Sequence, residues 1–259
     1  MNDVAVVTGA SSGVGREFVR QLDAGAGGPL DQIWLVARRR DVLDEVAAGC
    51  STPTRVLALD LTRREDLDEL AAALDGEEAL RLQWLVNCAG FGKFGDFAAR
   101  PLGEARDMLL LNCLAPLECS YHALPHMVAG SRIVNLSSIA GVIPQPGLSV
   151  YSATKSFVLE LSRTLDHELE GTGIHVTAVC PKFMRTGFLD EPGDAGVARG
   201  MTRIGFEDVD RVVRRAIAGA IAGRQVVIPS WDMRAAALTA RLLPARAVMR
   251  AEGWLLREG

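Results

Sequence analysis

The sequence predicts a single-domain α/β protein, and three observations predict it. At 259 residues, 49% of them hydrophobic, the chain can bury one substantial core. Short β-branched and aliphatic runs alternate with longer helical patterns, as expected of strands buried in a parallel sheet. The first such run enters its helix through a glycine-rich turn, Gly9-Ala10-Ser11-Ser12-Gly13-Val14-Gly15. No internal repeat or low-complexity linker divides the chain.

Residues 4 to 8 form the first strand, and the helix beyond the glycines runs to about Asp23. Glycines at such a junction let backbone approach a pyrophosphate, and the helix N-terminus supplies N–H groups and a positive dipole end. The spacing is Gly-x-x-x-Gly-x-Gly, not the commoner Gly-x-Gly-x-x-Gly. Ala24 to Pro29 read as a surface loop. The second strand, Ile33 to Ala37, ends about 20 residues past the glycines, where an acidic residue would bind ribose hydroxyls and select NAD. Here Arg38 and Arg39 follow instead, and a guanidinium there pairs with a 2′-phosphate, which points to NADP(H) rather than to a merely solvated helix start.

The third strand, Arg55 to Leu59, ends in Asp60-Leu61-Thr62; Asp60 suits both a helix cap and a place facing an adenine ring. The fourth, Trp84 to Val86, runs into Asn87-Cys88-Ala89-Gly90, small residues that suggest close approach by a ligand. A long helical segment follows, interrupted by Pro116, with the polar Asn112 inside an apolar run. His122 and His126 lie four apart on it, but Pro125 intervenes and no acidic ligand recurs, so no metal site is expected.

The organising stretch is Ser131 to Lys155. Arg132 to Leu136 form a buried strand, Ser137 and Ser138 stand at its end, and Tyr151 and Lys155 share one face of the next helix. A hydroxyl thus faces a phenol and an ammonium. A free tyrosine, with a pKa of about 10, is a poor acid or base near neutrality. A neighbouring cation favours its phenolate and lowers that value, which suits proton transfer at an oxygen. The helix ends at Gly171 and Gly173, a sixth strand spans Ile174 to Cys180, and Pro181 stops it. Residues 182–206 lack a long apolar period and suit a substrate lid. A helix from about Asp208 to Ala222 and a short strand, Val226 to Ile228, complete a domain over 1–230. An amphipathic tail, 231–259, is divided by Pro244 and is expected to pack on the domain or a neighbouring subunit.

The net charge of −4 argues against a nucleic-acid partner. No stretch reads as a signal peptide or is apolar enough to span a bilayer. Five scattered cysteines read as reduced thiols, so a cytoplasmic protein is expected.

Taken together, Thr8-Gly9-x-x-x-Gly13-x-Gly15, Asp60, Asn87-x-Ala89-Gly90, Asn112, Ser138, Tyr151-x-x-x-Lys155 and Pro181 through Thr186 resemble the short-chain dehydrogenase/reductase family, over residues 3 to about 230. Two departures are visible: Cys88 where a second Asn is common, and Lys182 in place of the usual Gly after Pro181. The resemblance implies a Rossmann-type, doubly wound sheet of about seven parallel strands with helices on both faces, and NADP(H) across its carboxyl edge. It implies Tyr151 as general acid/base, Ser138 bonded to the substrate oxygen, and Lys155 on the nicotinamide ribose. Asn112 would anchor a water in the proton relay. Gly9, Ser11, Ser12, Gly13, Val14, Gly15, Arg38, Arg39, Asp60, Leu61, Asn87, Ala89 and Gly90 would hold the cofactor, with Tyr151, Lys155, Pro181, Phe183 and Thr186 around its nicotinamide. A homodimer or homotetramer is implied too. Ile139, Val142, Ile143, Met184 and Phe188, with Leu148 and Phe183, flank the expected site and suggest a hydrophobic ketone or alcohol, steroid-like or acyl-chain-like; Lys93 and Lys182 leave room for an acidic group. The alternative, a non-catalytic NADP-binding regulator or scaffold, typically loses the tyrosine or lysine that this chain retains.

Overall fold

Residues along the first strand alternate between two cores: Val4 and Val6 face one side, Ala5 and Val7 the other, and all four are buried. Helices therefore cover both faces of the sheet, which is why its central runs carry so few polar residues. The computed structural model describes residues 1–184 and 205–257. Its strands are β1 (Asn2–Thr8), β2 (Gln32–Ala37), β3 (Thr54–Ala58), β4 (Leu80–Asn87), β5 (Met127–Leu136), β6 (His175–Val179) and β7 (Val226–Val227). They form one parallel sheet in the order β3-β2-β1-β4-β5-β6-β7.

One face is covered by α1 (Gly13–Asp23) and α2 (Arg40–Ala48), through Phe18, Leu22, Leu43 and Val46. The opposite face carries α3 (Arg64–Asp75), through Leu67, Leu70 and Leu74. The predicted long helix is in fact α4 (Leu102–Leu109), a wide π-helical turn at Leu110–Leu114, and α5 (Ala115–Ala123). Pro116 removes an N–H from the helix ladder, and the wide turn sits immediately before it. Beyond α6 (Ser149–Glu168) comes α7 (Val209–Ile221), which returns to the α1 face through Val212, Val213 and Ile217. Most of the expected lid, residues 185–204, lies outside the described residues. In the tail, α8 (Trp231–Leu242) and α9 (Ala245–Arg257) contribute Met233, Ala237 and Val248 to a cluster with Ile139 and Ile143.

Strand order reverses direction between β1 and β4, since the chain builds outward from β1 one way and then returns to add β4 on its other side. Ligands of such sheets bind beyond the carboxyl ends at this switch point.

Candidate active site

The glycine turn leaves β1 at that switch point. Gly9 has a φ of +68°, and a Cβ there would lie 2.9 Å from the Ala89 nitrogen. At Gly15 a Cβ would lie 2.3 Å from the Gly9 carbonyl oxygen, so helix α1 can start this close to β1 only with no side chain. The Thr8 hydroxyl accepts the backbone N–H groups of Cys88 and Ala89, each at 3.1 Å, and locks the end of β4 beside the turn. Ser12 precedes α1 in extended conformation and makes no side-chain cap, which leaves the helix's first N–H groups for an anion.

A cleft of about 530 Å³ runs over this turn to Ser138, Tyr151, Lys155 and Pro181. An adjoining hollow of about 180 Å³, lined by Ser11, Ala37, Asp60 and Leu61, extends it toward β3. Arg38 and Arg39 line both parts, are exposed, and have no ion-pair partner among the described residues. Asp60 accepts from the Thr62 N–H at 3.0 Å and its hydroxyl at 2.7 Å, so its carboxylate braces the turn before α3 at the edge of the hollow. Glycine-lined backbone, a bare helix N-terminus and guanidiniums at one end make a donor set that fits a dinucleotide.

At the other end the two serines separate by role. Ser137 donates to the Lys155 carbonyl oxygen at 2.7 Å and pins α6 to the end of β5. A Cβ on Gly141 would lie 2.6 Å from that same oxygen, so the contact is close on both sides. Ser138 instead hydrogen-bonds the Tyr151 hydroxyl. Lys155 donates from Nζ to the Leu136 carbonyl at 2.7 Å and lies 5.7 Å from the centre of the Tyr151 ring. The expected lowering of the phenol's pKa is absent: burial pushes Tyr151 up to about 12, against a smaller opposing effect of the Ser138 bond. Burial also brings the Lys155 ammonium down to about 8. In a low-dielectric cleft, desolvation of the charged form is the largest effect on each group.

Residues 3–196 match the family model described as short chain dehydrogenase. The chain belongs to the short-chain dehydrogenase/reductase family. It is 33% identical over 229 residues to a sulfoacetaldehyde reductase 2 of Chromohalobacter salexigens, covering 82% of this chain and 87% of that one. A very-long-chain 3-oxoacyl-CoA reductase of Phaeosphaeria nodorum is 34% identical over 194 residues, which cover 70% of this chain and 55% of that protein. Thus the chain spans little more than half the length of that relative. Among solved structures, a short-chain dehydrogenase from Sphingobium yanoikuyae in complex with NADPH is 30% identical, with a TM-score of 0.76 over 93% of this chain and 94% of that one. As a member of this family it is an oxidoreductase, and the family binds a nicotinamide cofactor.

Several expected positions prove different. Asn87 does not line the cleft: its Nδ2 donates to Asn135 Oδ1 at 2.8 Å, a pair set by the β4–β5 register, and to Ser120 Oγ at 3.3 Å. Asn112, inside the π turn, accepts from the Phe91 N–H at 3.0 Å and donates to the Phe91 carbonyl at 2.8 Å and Thr154 Oγ1 at 3.1 Å. Its carboxamide thus staples the Gly90–Phe91 loop to α6. Ile139, Val142 and Ile143 do not line the cleft but pack toward the tail helices, because the turn after Ser138 directs them away from it. Met184 and Lys182 do line it. Lys182 is not an open cation: its Nζ pairs with Asp232 at 2.6 Å. Thr186 and Phe188 lie outside the described residues. Phe183 and Tyr151 share an apolar cluster with Phe94, Leu148 and Phe206. Phe94 and Phe206 are neighbours of Tyr151 that the sequence pattern does not single out, although Phe94 stands between Gly92 and Gly95. The pattern also passes over Phe91 and Leu136, whose places beside Gly90 and before Ser137 could have marked them.

Proposed function

We propose that this protein is an NADP(H)-dependent reductase of hydrophobic ketones, interconverting them with secondary alcohols. The observation that carries the reading is a cleft with two guanidiniums at one end, unpaired among the described residues, and the Ser138–Tyr151 hydrogen bond at the other. Arg38 and Arg39 suit a 2′-phosphate, in keeping with the NADPH held by the Sphingobium relative. When bound, the cofactor supplies a hydride. Tyr151 and Ser138 donate hydrogen bonds to the carbonyl oxygen and stabilise the alkoxide as it forms, Tyr151 giving up its proton. Lys155, held by Leu136, keeps a positive charge beside the phenol and binds the ribose. Asn112 positions α6 and the Phe91 loop. The aromatic cluster of Phe94, Phe183 and Phe206 favours an apolar substrate, in line with the long acyl chain named for the Phaeosphaeria relative.

Residues 1–230 serve as the catalytic domain and 231–259 as its packed tail. The unpaired state of all five cysteines supports a cytoplasmic setting. Among the described residues no helix is long and apolar enough to cross a membrane.

The test is NADPH oxidation by purified protein across a panel of ketones, with Tyr151→Phe beside it. Turnover should fall at least about a hundredfold in the variant while NADPH still binds. Arg38→Ala should weaken NADPH binding and leave NADH nearly unaffected. Equal turnover by Tyr151→Phe, or activity confined to small polar sugars, overturns the reading.

A further inference from the structure

Lys182 stands where the family usually has a glycine, at the cleft side of the β6 end, and its charge is managed from the tail. Its Nζ donates to Asp232 Oδ2 at 2.6 Å, and its backbone N–H donates to Glu207 Oε2 at 2.9 Å. The Lys182 side chain is 10% exposed and that of Asp232 34%, so the carboxylate covers the ammonium from the solvent side. Asp232 lies in the first turn of α8, where a helix N-terminus and the ammonium both favour its ionised form, and its carboxyl is held below the usual range. Asp232 is thus the carboxylate paired with the ammonium, whereas Glu207 holds the backbone N–H and burial pushes its carboxyl upward, toward the neutral form. The Lys182–Asp232 pair is neutral, and Phe183 and Met184, which follow Lys182 in the cleft lining, are apolar.

We propose that Asp232 is a specificity-determining residue: by neutralising Lys182 it turns the substrate cleft against anionic carbonyl compounds. The proposal rests on the reductase reading and narrows its substrate class to uncharged ones. The sulfoacetaldehyde reductase relative acts, by its name, on an anionic aldehyde. In this chain a cation stands at the cleft, and the tail supplies the charge that masks it. Removing that charge should convert a neutral, apolar site into one that accepts a carboxylate, since an ammonium in a partly buried site attracts an anion far more than one in bulk water.

The experiment compares 4-carboxybenzaldehyde with its methyl ester as substrates of wild type, Asp232→Asn, Asp232→Glu and the double variant Asp232→Asn/Lys182→Met. Wild type should prefer the ester. Asp232→Asn should raise kcat/KM for the carboxylate relative to the ester about tenfold, Asp232→Glu should behave as wild type, and the double variant should lose the gain. A direct binding titration of the NADPH-loaded proteins with benzoate against benzamide reads the same selectivity without turnover. If Asp232→Asn binds and reduces both members of each pair in the wild-type ratio, the proposal is overturned. If no protein turns over either aldehyde yet benzoate binding still tightens in Asp232→Asn alone, Asp232 keeps its role, and the reductase reading falls only if the ketone panel fails as well.

Discussion

Lys155 shows how burial reaches function through a single residue. Its ammonium is brought down from 10.5 to about 8, so between those values the unfolded chain binds a proton that the folded chain has released. Folding stability contributed at this site therefore rises as pH climbs through 8 toward 10.5. Buried Tyr151, Cys88, Cys119 and Cys180, all pushed up to about 12, act in the opposite direction at higher pH, so the site is isolated by comparison with Lys155→Met. In the cofactor-free protein, the melting temperature of wild type relative to Lys155→Met should rise by roughly 5 °C between pH 8 and 10. A constant difference across that range would mean the ammonium is not desolvated. Asn112 makes a second residue-level case. Its loss strands the N–H and carbonyl of Phe91, so Asn112→Ala should cost about 2–3 kcal/mol in denaturant unfolding, and an unchanged midpoint would count against the staple. The sequence marked Asn112 as a polar residue in an apolar run. It could not mark what the amide holds, because Phe91 and Thr154 reach it only through the fold. Residue pattern alone does not separate Ser137 from Ser138; the family resemblance picks out Ser138, and strand geometry sends one hydroxyl to α6 and the other to Tyr151.

Elements were legible where a physical signal was local. The junction of β1 and α1 is written in glycines whose absent side chains make the packing possible, and α1 ends at Asp23 as its period predicts. Gly15→Ala should therefore force the 2.3 Å contact apart, shift α1 from Gly9, and weaken NADPH binding at least about tenfold while far-ultraviolet circular dichroism changes little. Undiminished binding would show that the turn has slack. Strand cores were equally plain, but β4 and β5 begin earlier than their apolar runs suggest, at Leu80 and Met127. Their extra residues include Arg81, Gln83, Gly130 and Ser131, which pattern alone reads as loop, and neighbouring strands extend them through backbone pairing. The π turn at Leu110–Leu114 had no local signature beyond the proline that follows it, and it changes which residues of the segment face inward.

At the scale of the whole molecule, the sheet order accounts for the place of the cleft, and among the described residues an apolar surface on the α4–α5 segment is left uncovered. Leu109, Leu114 and Leu117 on the α4–α5 segment and Phe157 on α6 form an apolar face, with Leu109 50% exposed and Phe157 40% exposed. Leaving such a patch in water is unfavourable, and a second copy presenting the same residues would bury both, as two-fold symmetry requires. The same face belongs to the helices that carry Asn112 and Tyr151, so its burial would also stiffen the candidate catalytic groups from behind. Wild type is expected to sediment as a dimer or tetramer, and Leu117→Glu with Phe157→Glu as a monomer, because paired carboxylates opposite their own copies repel. The monomer should retain NADPH binding, whose residues lie at the strand ends, while its turnover declines as α6 loosens. A wild-type protein that sediments as a monomer at micromolar concentration would assign this face another partner and uncouple it from catalysis.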